Sequence, residues 1–425
     1  MIFLSVVLIT LVCVAIIYYI RNYYRLTYVT GNENILPGPK KYMTKYLHGN
    51  PDELLNMLCI LGKYFSSPFQ LLKRPFVVIY EPNQIKTVLK SRHCLDKNII
   101  FYKFTEEIFG TKLLTAPESI WNQNRKRIIP SFSLNMLQGF FNTFVEESLI
   151  LTNKLEKVRI NENEIIFLEH IATCALDIAC STIIGTKMES NKKDQYFKTV
   201  VRLKEIFRYR MYYVWNESWF DKIIFNFTTL GREQQKTSKL MHSLINEEKV
   251  YKELMTIYGT KTPISTPVKY DDLQHMRYLD QVIEETLRLF PTTPIIGRRL
   301  TKDVKIGNFI LPKNTSIIIV LMLMNRQEQY WPNPLKFDPD RFLPERVKDC
   351  PSDSFYHIPF SDGPRNCIGT KYAMISIKVI LATLIRTFVF KVDKSIQIRN
   401  IKLKTDITLS TIEPLKIRIN KRDLQ

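Results

Sequence analysis

The stretch from 360 to 369 restricts what this chain can fold into more than any other feature of its sequence. It reads Phe-Ser-Asp-Gly-Pro-Arg-Asn-Cys-Ile-Gly, and an apolar pattern of helical spacing follows between 373 and 385. A helix N-terminus favours negative charge, and the thiolate is the form of cysteine that binds metal. The pattern therefore predicts a tight loop that presents Cys367 as a metal ligand at the start of a buried helix.

The other residues of this loop fit a flat, anionic cofactor. Gly363 permits a left-handed or crowded backbone, and Gly369 permits the close approach of a planar group. Arg365 stands two residues before the sulfur and is able to reach an anionic group at the cofactor's edge. A thiolate-bound haem iron has this chemistry. The alternative is that Cys367 is a small buried hydrophobe, as isolated cysteines often are.

The complete pattern Phe-x-x-Gly-x-Arg-x-Cys-x-Gly, from Phe360 to Gly369, resembles the signature of the cytochrome P-450 superfamily of haem-thiolate monooxygenases. The resemblance implies that Cys367 is the axial ligand of haem. It also implies a mainly α fold with a small β-sheet region, an α+β arrangement, over nearly all of the chain after the N-terminal segment. The sequence is most similar to the animal microsomal branch that includes the fatty-acid ω-hydroxylases and the insect family-4 enzymes.

Trp121 and Arg125 are four residues apart, so they share one face of a predicted helix. Alone, this pattern is as typical of an amphipathic surface helix with a buried tryptophan. Beside the cysteine loop it resembles the superfamily's Trp-x-x-x-Arg, which implies that it binds a haem propionate, since a planar guanidinium meets a carboxylate with two hydrogen bonds. The resemblance extends cofactor binding to Arg298, Arg365, Phe360 and Gly369.

A second motif lies in the segment 280–291, Asp-Gln-Val-Ile-Glu-Glu-Thr-Leu-Arg-Leu-Phe-Pro. Its Glu285 and Arg288 share a helix face, and an exposed pair of this kind contributes only about a few tenths of a kcal/mol. The flanking apolar residues indicate burial instead, where an ion pair fixes a geometry. The motif resembles the superfamily's Glu-x-x-Arg, whose third member here is Arg341. The resemblance implies that the three lock the proximal side of the haem pocket.

Other segments are assigned from their patterns. A β-prone run covers 76–80 and a short helix 84–90, while 304–320 predicts a hairpin and a further strand. The apolar, helix-like stretch 164–185 is predicted to pack in the core. The tail, 398–419, has strand character.

The substrate pocket is assigned from three segments. The short apolar segment 292–296 follows a helix-ending proline and is a candidate wall of the pocket, and the tail is predicted to bring Leu409 near it. The stretch 202–227, rich in aromatics and arginine, resembles the mobile helix over the substrate pocket. A solvated helix with a buried stripe is the alternative for that stretch.

An uncharged apolar run at residues 2–20 spans roughly 30 Å at ~1.5 Å per residue, about one hydrocarbon core. Arg21 and Arg25 follow it, which places the bulk of the protein on the cytosolic side. A cleaved signal peptide is the alternative, but it would have a basic start and a small-residue cleavage site. We predict a transmembrane signal-anchor over 1–20, a basic, proline-rich hinge over 21–40 and residence in the endoplasmic reticulum membrane.

The formal net charge of +20 is dispersed among apolar residues and accompanies no nucleic-acid motif. It therefore favours a membrane surface and an acidic redox partner over nucleic acid. The seven cysteines include no Cys-x-x-Cys pair, which favours a reducing compartment. The resemblance implies as partners an NADPH-dependent flavoprotein reductase, cytochrome b5, O2 and a lipophilic small molecule.

One expected element is missing from the sequence. The superfamily normally has a long helix above the iron with the pattern Ala/Gly-Gly-x-Asp/Glu-Thr, whose acid and threonine relay protons, and no such pattern occurs here. Its place lies between His242 and Tyr278. In that interval, the residues up to Asn246 resemble the helix that precedes the missing one. The residues from Glu247 onward resemble a helix that follows it. We predict an internal deletion near 246–247 within a haem-thiolate domain of residues 41–425. A skipped exon, an incorrect gene model or a functional variant would each account for it.

The predicted function is a haem-dependent monooxygenase that inserts one oxygen atom from O2 into a fatty acid, hormone or foreign chemical. Loss of the helix would remove part of the distal wall and the protonating group, so oxygen chemistry would leak to peroxide or water. The alternatives are a truncated haem-binding protein without turnover and, less favoured, a haem-thiolate isomerase or dehydratase. No proton-delivery residue is assigned.

Overall fold

A computed structural model describes residues 54–71, 76–98, 111–161, 164–185, 244–348, 355–391, 403–405, 408–411 and 416–422, with the single positions 36, 102, 105–106, 199, 202 and 204–205. The predicted anchor at 1–20, the hinge at 21–40 apart from Leu36, and most of the aromatic stretch 202–227 lie outside the described residues.

A four-stranded sheet forms one end of the described structure. Its strands are β1 (Phe69–Leu71), β2 (Phe76–Ile79), β4 (Ile295–Arg299) and β7 (Ser316–Val320), in the order β1-β2-β7-β4. The pairing of β2 with β7 is parallel, and the other two pairings are antiparallel. All residues of β2 and β7 are buried, as a strand covered on both faces requires, and this explains why all of them except Ser316 are apolar.

Helices supply most of the remaining structure. They are α1 (Leu54–Tyr64), α2 (Pro82–Lys90), α3 (Glu118–Ile128), α4 (Leu134–Asn161), α5 (Phe167–Ala179), α6 (Leu244–Tyr258), α7 (Arg277–Leu289), α8 (Leu321–Met324), α9 (Pro344–Lys348) and α10 (Thr370–Thr387). Smaller sheets pair β3 (Ile165–Ile166) and β8 (Phe388–Lys391) with β11 (Lys416–Lys421), β5 (Val304–Ile306) with β6 (Phe309–Leu311), and β9 (Leu403–Thr405) with β10 (Leu409–Thr411).

The core has a helical part and two layers on the sheet. In the helical part, the apolar face of α10 packs with α4, α6 and α7. The alternation of side chains along β7 divides its isoleucines between the two sheet layers. Ile318 packs on the α1 side, whereas Ile317 and Ile319 pack on the α2 side. The mixture of helices and small sheets confirms the predicted α+β class.

The predicted elements around the sheet are confirmed. The β-prone run at 76–80 forms β2, and the helix predicted at 84–90 begins slightly earlier, at Pro82. Proline suits the first helical turn because its missing N–H has no helical partner there. The segment 304–320 forms the β5–β6 hairpin and β7, and the tail contributes β9, β10 and β11.

The expectation that 164–185 packs in the core is only partly right. Cys174 and Ile178 of α5 are buried, but Leu168 is 58% exposed and Ile183 and Ile184, just after the helix, are 60% and 66% exposed. Within the described part of the chain, the stretch Phe167–Ile184, which is α5 with the π-helical turn after it, has the length and composition that would allow it to span a membrane. Leu168, Ile183 and Ile184 therefore remain exposed apolar side chains.

Helix α6 runs without interruption through Asn246 and Glu247, the predicted site of the deletion. Its later residues Val250 and Leu254 are buried in the helical core with α7 and α10. The Glu253 carboxylate accepts the backbone N–H groups of Tyr278 and Leu279, which lie in the first turn of α7. Residues after 247 are therefore integrated into the fold.

Candidate functional site

The cysteine loop ends at the N-terminus of α10, as its sequence predicts. The backbone N–H of Cys367 donates to the Phe360 carbonyl at 2.9 Å, and the N–H of Asn366 donates to the Gly363 carbonyl at 3.0 Å. The Thr370 hydroxyl donates to the Cys367 carbonyl at 3.1 Å. These bonds use only the backbone of Cys367, whose side chain is exposed and open to a ligand.

Two glycines of this loop have different structural roles. Gly363 has φ +72°, and a Cβ there would stand 2.0 Å from the Leu89 carbonyl oxygen at the end of α2. A Cβ at Gly369 would meet only ordinary contacts, 3.7 Å from the Phe132 ring and 4.0 Å from the Cys367 sulfur. The fold itself thus requires glycine at 363. The predicted need for glycine at 369 depends on the cofactor.

Gly363→Ala is expected to destabilise the protein by more than the ~1–2 kcal/mol of a left-handed alanine, because the new methyl group also collides with rigid backbone. Gly139→Ala is the matched control, since Gly139 lies within α4 and a Cβ there has nothing within 4 Å. The control is expected to stabilise by roughly 0.5–1 kcal/mol. Urea unfolding of both variants checks the pair, and equal midpoints would contradict the assignment.

Trp121 and Arg125 of α3 lie beside the cysteine loop. Trp121 is 4% exposed. The Arg125 guanidinium donates to both the backbone and the side-chain oxygen of Asn366, at 2.7 and 2.6 Å. Burial lowers the pKa of Arg125, and the nearby Cys367 thiolate opposes that shift. The structure thus brings the two motifs together, with Arg125 bound to the residue before the cysteine.

Three cations, Lys97, Arg298 and Arg365, form what we call the cation cradle. Arg365 lies over the Trp121 ring at 4.3 Å and donates to the Ala116 carbonyl at 2.6 Å. Its Nε and Nη1 atoms are buried and have no partner. Arg298 is 1% exposed and donates to the Gly297 carbonyl. Among the described residues, none of the three cations forms an ion pair.

The electrostatics of the cation cradle favour an anion. Burial, followed by the charge of Arg298, lowers the pKa of Arg365 to about 10. Burial and both arginines hold the pKa of Lys97 well below its usual range, and burial lowers that of Arg298. Buried like charges are costly unless they are paired, so an anionic group placed among them would be strongly stabilised.

These residues fit haem. The unpartnered nitrogens of Arg365 supply two donors suited to a carboxylate such as a propionate. Cys367 supplies an exposed sulfur, a soft metal ligand, just before the first residue of α10. Phe360 contributes the carbonyl that holds the Cys367 backbone. An anionic, metal-containing planar group is therefore the ligand that this combination is suited to hold.

Glu285, Arg288 and Arg341 also come together. Glu285 and Arg288 are both fully buried in α7, and Arg288 donates to the two Glu285 oxygens at 2.6 and 2.8 Å. Arg341 places its Nε 3.5 Å from Glu285. The remaining donors of Arg288 reach backbone carbonyls, including that of Asn325 at 2.8 Å. This network joins α7 to the loop that carries Arg341, so it fixes their relative position.

The predicted pocket wall and the tail meet. The Leu409 N–H donates to the Thr292 carbonyl at 2.8 Å. Ile295 and Ile296, which follow in the chain, are 4% and 5% exposed. The segment 292–296 therefore lies next to β10, where Ile295 shares an apolar cluster with Leu409, whereas Ile296 packs on the α2 side of the sheet.

Sequence reasoning missed two residues of the site, Lys97 and Asn366. Lys97 reaches the cation cradle through tertiary packing, and it belongs to no recognisable sequence motif. Asn366 was visible inside the cysteine motif, but its role depends on Arg125, which is remote in sequence. The motif therefore marked the loop without revealing what holds it.

Comparison with known proteins identifies the class. The sequence model of the cytochrome P450 family matches residues 61–248 and 238–419, so the chain belongs to the cytochrome P450 family. Membership makes it a haem-dependent monooxygenase by family resemblance, a class that uses O2, redox partners and lipophilic substrates.

The relatives place it more narrowly, in a family-4-like group. Cytochrome P450 4V2 of Rattus norvegicus is 30% identical over 74% of this chain and 74% of its own length. The Mus musculus protein of that name is 28% identical over 82% of this chain and 81% of its own length. Cytochrome P450 4c21 of Blattella germanica is 27% identical over 82% of this chain and 84% of its own length.

Proposed function

We propose that this chain binds haem through the Cys367 thiolate, with the cation cradle, Trp121 and Arg125 holding the propionates, and that its class of reaction is oxygen insertion into a lipophilic substrate. The buried, unpartnered nitrogens of Arg365 beside the cysteine loop carry this proposal. When bound, haem supplies the oxygen-activating chemistry. Cys367 would supply electron density to the metal, and the buried Glu285–Arg288–Arg341 network would keep this side of the site rigid.

A lipophilic substrate is supported by Ile295, which packs in the same apolar cluster as Leu409. A fatty acid, a hormone and a foreign chemical all have the apolar surface that such a wall would bury. Polar groups would be disfavoured there, because burying them without hydrogen bonds is costly. We therefore propose the substrate only as a class.

The setting we propose is the endoplasmic reticulum membrane, with residues 1–20 as anchor, 21–40 as hinge and the domain on the cytosolic side. Lys126 and Arg127 of α3 are exposed near the cysteine loop and offer an acidic reductase a basic surface. An NADPH-dependent flavoprotein reductase, with cytochrome b5 as a further donor, is the partner that this chemistry needs.

A second candidate, haem binding without monooxygenase turnover, is favoured by signs of an internal deletion. The alignment with the mouse relative has 432 positions but covers 82% of 425 residues, about 349, so about 83 positions have no counterpart in this chain. The alignment with probable cytochrome P450 313a4 of Drosophila melanogaster has 485 positions and covers 95%, about 404, which leaves about 81. Unmatched positions in this number are what a segment missing from this chain would leave.

Three further observations support a deletion near 246–247 within the domain of residues 41–425. The two segments matched by the family model meet at 238–248, and the sequence has no proton-relay pattern. Leu168, Ile183 and Ile184 expose apolar side chains that an additional helix would cover. A chain without that helix has lost a wall of its pocket as well as the proton donor.

Turnover separates the two candidates. Reconstituted with reductase and NADPH in the presence of fatty acids, the chain with the deletion is expected to oxidise NADPH mainly to peroxide and water. A chain translated from a longer transcript across Asn246/Glu247 is expected to form hydroxylated product instead. If the shorter chain forms nearly as much hydroxylated product as it consumes NADPH, the second candidate is excluded.

A further inference from the structure

His357 lies between α7 and the cysteine loop. Its Nε2–H donates to the Glu284 carboxylate at 2.8 Å, since an ionised carboxylate only accepts hydrogen bonds. The side chain of His357 is 13% exposed and that of Glu284 is 30% exposed, so the contact is partly shielded from water. The contact links the loop that leads to Cys367 with the helix that carries the buried ion pair.

The contacts of His357 with Glu284, Phe342 and Trp331 involve neighbours of the buried network. Glu284 directly precedes Glu285. The His357 ring lies 4.9 Å from the ring of Phe342, the residue after Arg341.

The third contact of His357 reaches the same network through an aromatic ring. The His357 ring lies 6.0 Å from that of Trp331. The Arg288 guanidinium lies 5.0 Å over the same Trp331 ring. The position of His357 is therefore set by groups adjacent to all three members of the network.

In the other direction, the backbone after His357 leads through one hydrogen-bonded turn and a longer loop, closed by a further hydrogen bond, to the sulfur-bearing residue. The Ile358 carbonyl accepts the Ser361 N–H at 2.9 Å, and the Phe360 carbonyl accepts the Cys367 N–H at 2.9 Å. A shift of His357 would therefore move the acceptor that holds the Cys367 backbone.

The opposite side of the same loop is held by α2. The Lys90 ammonium lies 5.4 Å over the Phe355 ring, and Gly363 packs directly against the Leu89 carbonyl. Ile358 is buried in the apolar layer between α2 and the sheet. The loop is thus held from two sides, by packing on α2 and by the polar contact of His357 on α7.

We propose that His357, oriented by Glu284, is a positioning residue that transmits the geometry of the Glu285–Arg288–Arg341 network to the Cys367 sulfur. The inference rests on the proposed function, because it presupposes that Cys367 is the ligand of haem. It assigns His357 no contact with haem or substrate. Its effect is to keep the loop in the arrangement in which the sulfur remains a bound thiolate.

The test uses the haem-loaded full chain and the ferrous–CO spectrum, which distinguishes thiolate from other ligation. His357→Ala and Glu284→Ala are each expected to lower the ratio of thiolate-ligated haem to otherwise ligated haem by about two- to fivefold. A change of this size corresponds to the loss of one hydrogen bond's net stabilisation. The double variant is expected to be no worse than either single variant, because the two residues act as one contact. His357→Gln, which retains a donor, is expected to recover much of the loss.

Matched controls are His275→Ala and Glu328→Ala, which alter exposed residues of the same types. A purely structural role would lower the thermal midpoint but leave the ligation ratio of the folded molecules unchanged, so both quantities are measured. If His357→Ala does not fold, Glu284→Ala decides alone. If the wild type shows the thiolate band and the variants have the same ligation ratio, only this inference is overturned. If the wild type lacks the thiolate band, the proposed function is overturned as well.

Discussion

Cys367→Ala is expected to abolish the strongly red-shifted ferrous–CO Soret band while the protein stays folded. The Cys367 side chain is exposed, and its hydrogen bonds use backbone atoms that alanine retains. Exposed substitutions without such bonds usually change stability by only about 0.5 kcal/mol. Loss of the band would therefore report lost ligation. The measurement is the reduced, CO-saturated spectrum of haem-loaded protein, with far-UV circular dichroism as the check of folding.

Cys59→Ala is the matched control for this prediction. Cys59 is partly buried in α1, beside the sheet, so its loss is expected to leave the band in place. Burial raises the pKa of its thiol, which makes Cys59 a poor source of thiolate. Retention of the band by Cys367→Ala would show that another group holds the iron.

Arg288→Ala is expected to destabilise the protein by roughly 3–5 kcal/mol, because it leaves the Glu285 carboxylate as a buried charge without its main partner. Both side chains are 0% exposed, so water cannot replace the lost donors. The loss is a large fraction of the ~5–15 kcal/mol that typically stabilises a domain. The variant is therefore expected to unfold at a much lower urea concentration than the wild type.

Two variants separate the buried charge from lost packing. Glu285→Ala/Arg288→Ala removes the charge as well, so it is expected to recover part of the loss. Arg341→Ala should cost less than Arg288→Ala, because Arg341 is 11% exposed and its Nε stands 3.5 Å from Glu285. If the double variant loses as much free energy of unfolding as the two single variants lose together, the buried charge is not the cause of the instability.

Local sequence patterns predicted those features whose cause is local. The Glu285–Arg288 pair follows from helical spacing, β2 follows from an apolar run, and α2 was predicted at 84–90 although it begins at Pro82. The cysteine loop follows from a motif in which Gly363 has a demonstrable steric reason. In each case, neighbouring residues decide the outcome, so periodicity and turn chemistry were sufficient.

Features created by remote contacts were not predictable from spacing. Lys97 enters the cation cradle, and Asn366 accepts from Arg125, only because separate elements pack together. The role of His357 likewise depends on Glu284, which belongs to another element. The burial expected for 164–185 was only partly right, because an apolar helix is buried only if a partner covers each side.

The ferrous–CO spectrum of the wild-type chain loaded with haem tests the central claim most directly. A strongly red-shifted Soret band is expected, since Cys367 presents an exposed sulfur at a helix N-terminus beside the cation cradle. An ordinary imidazole-type band, from protein that is folded and fully loaded, would contradict the assignment of Cys367 as the ligand.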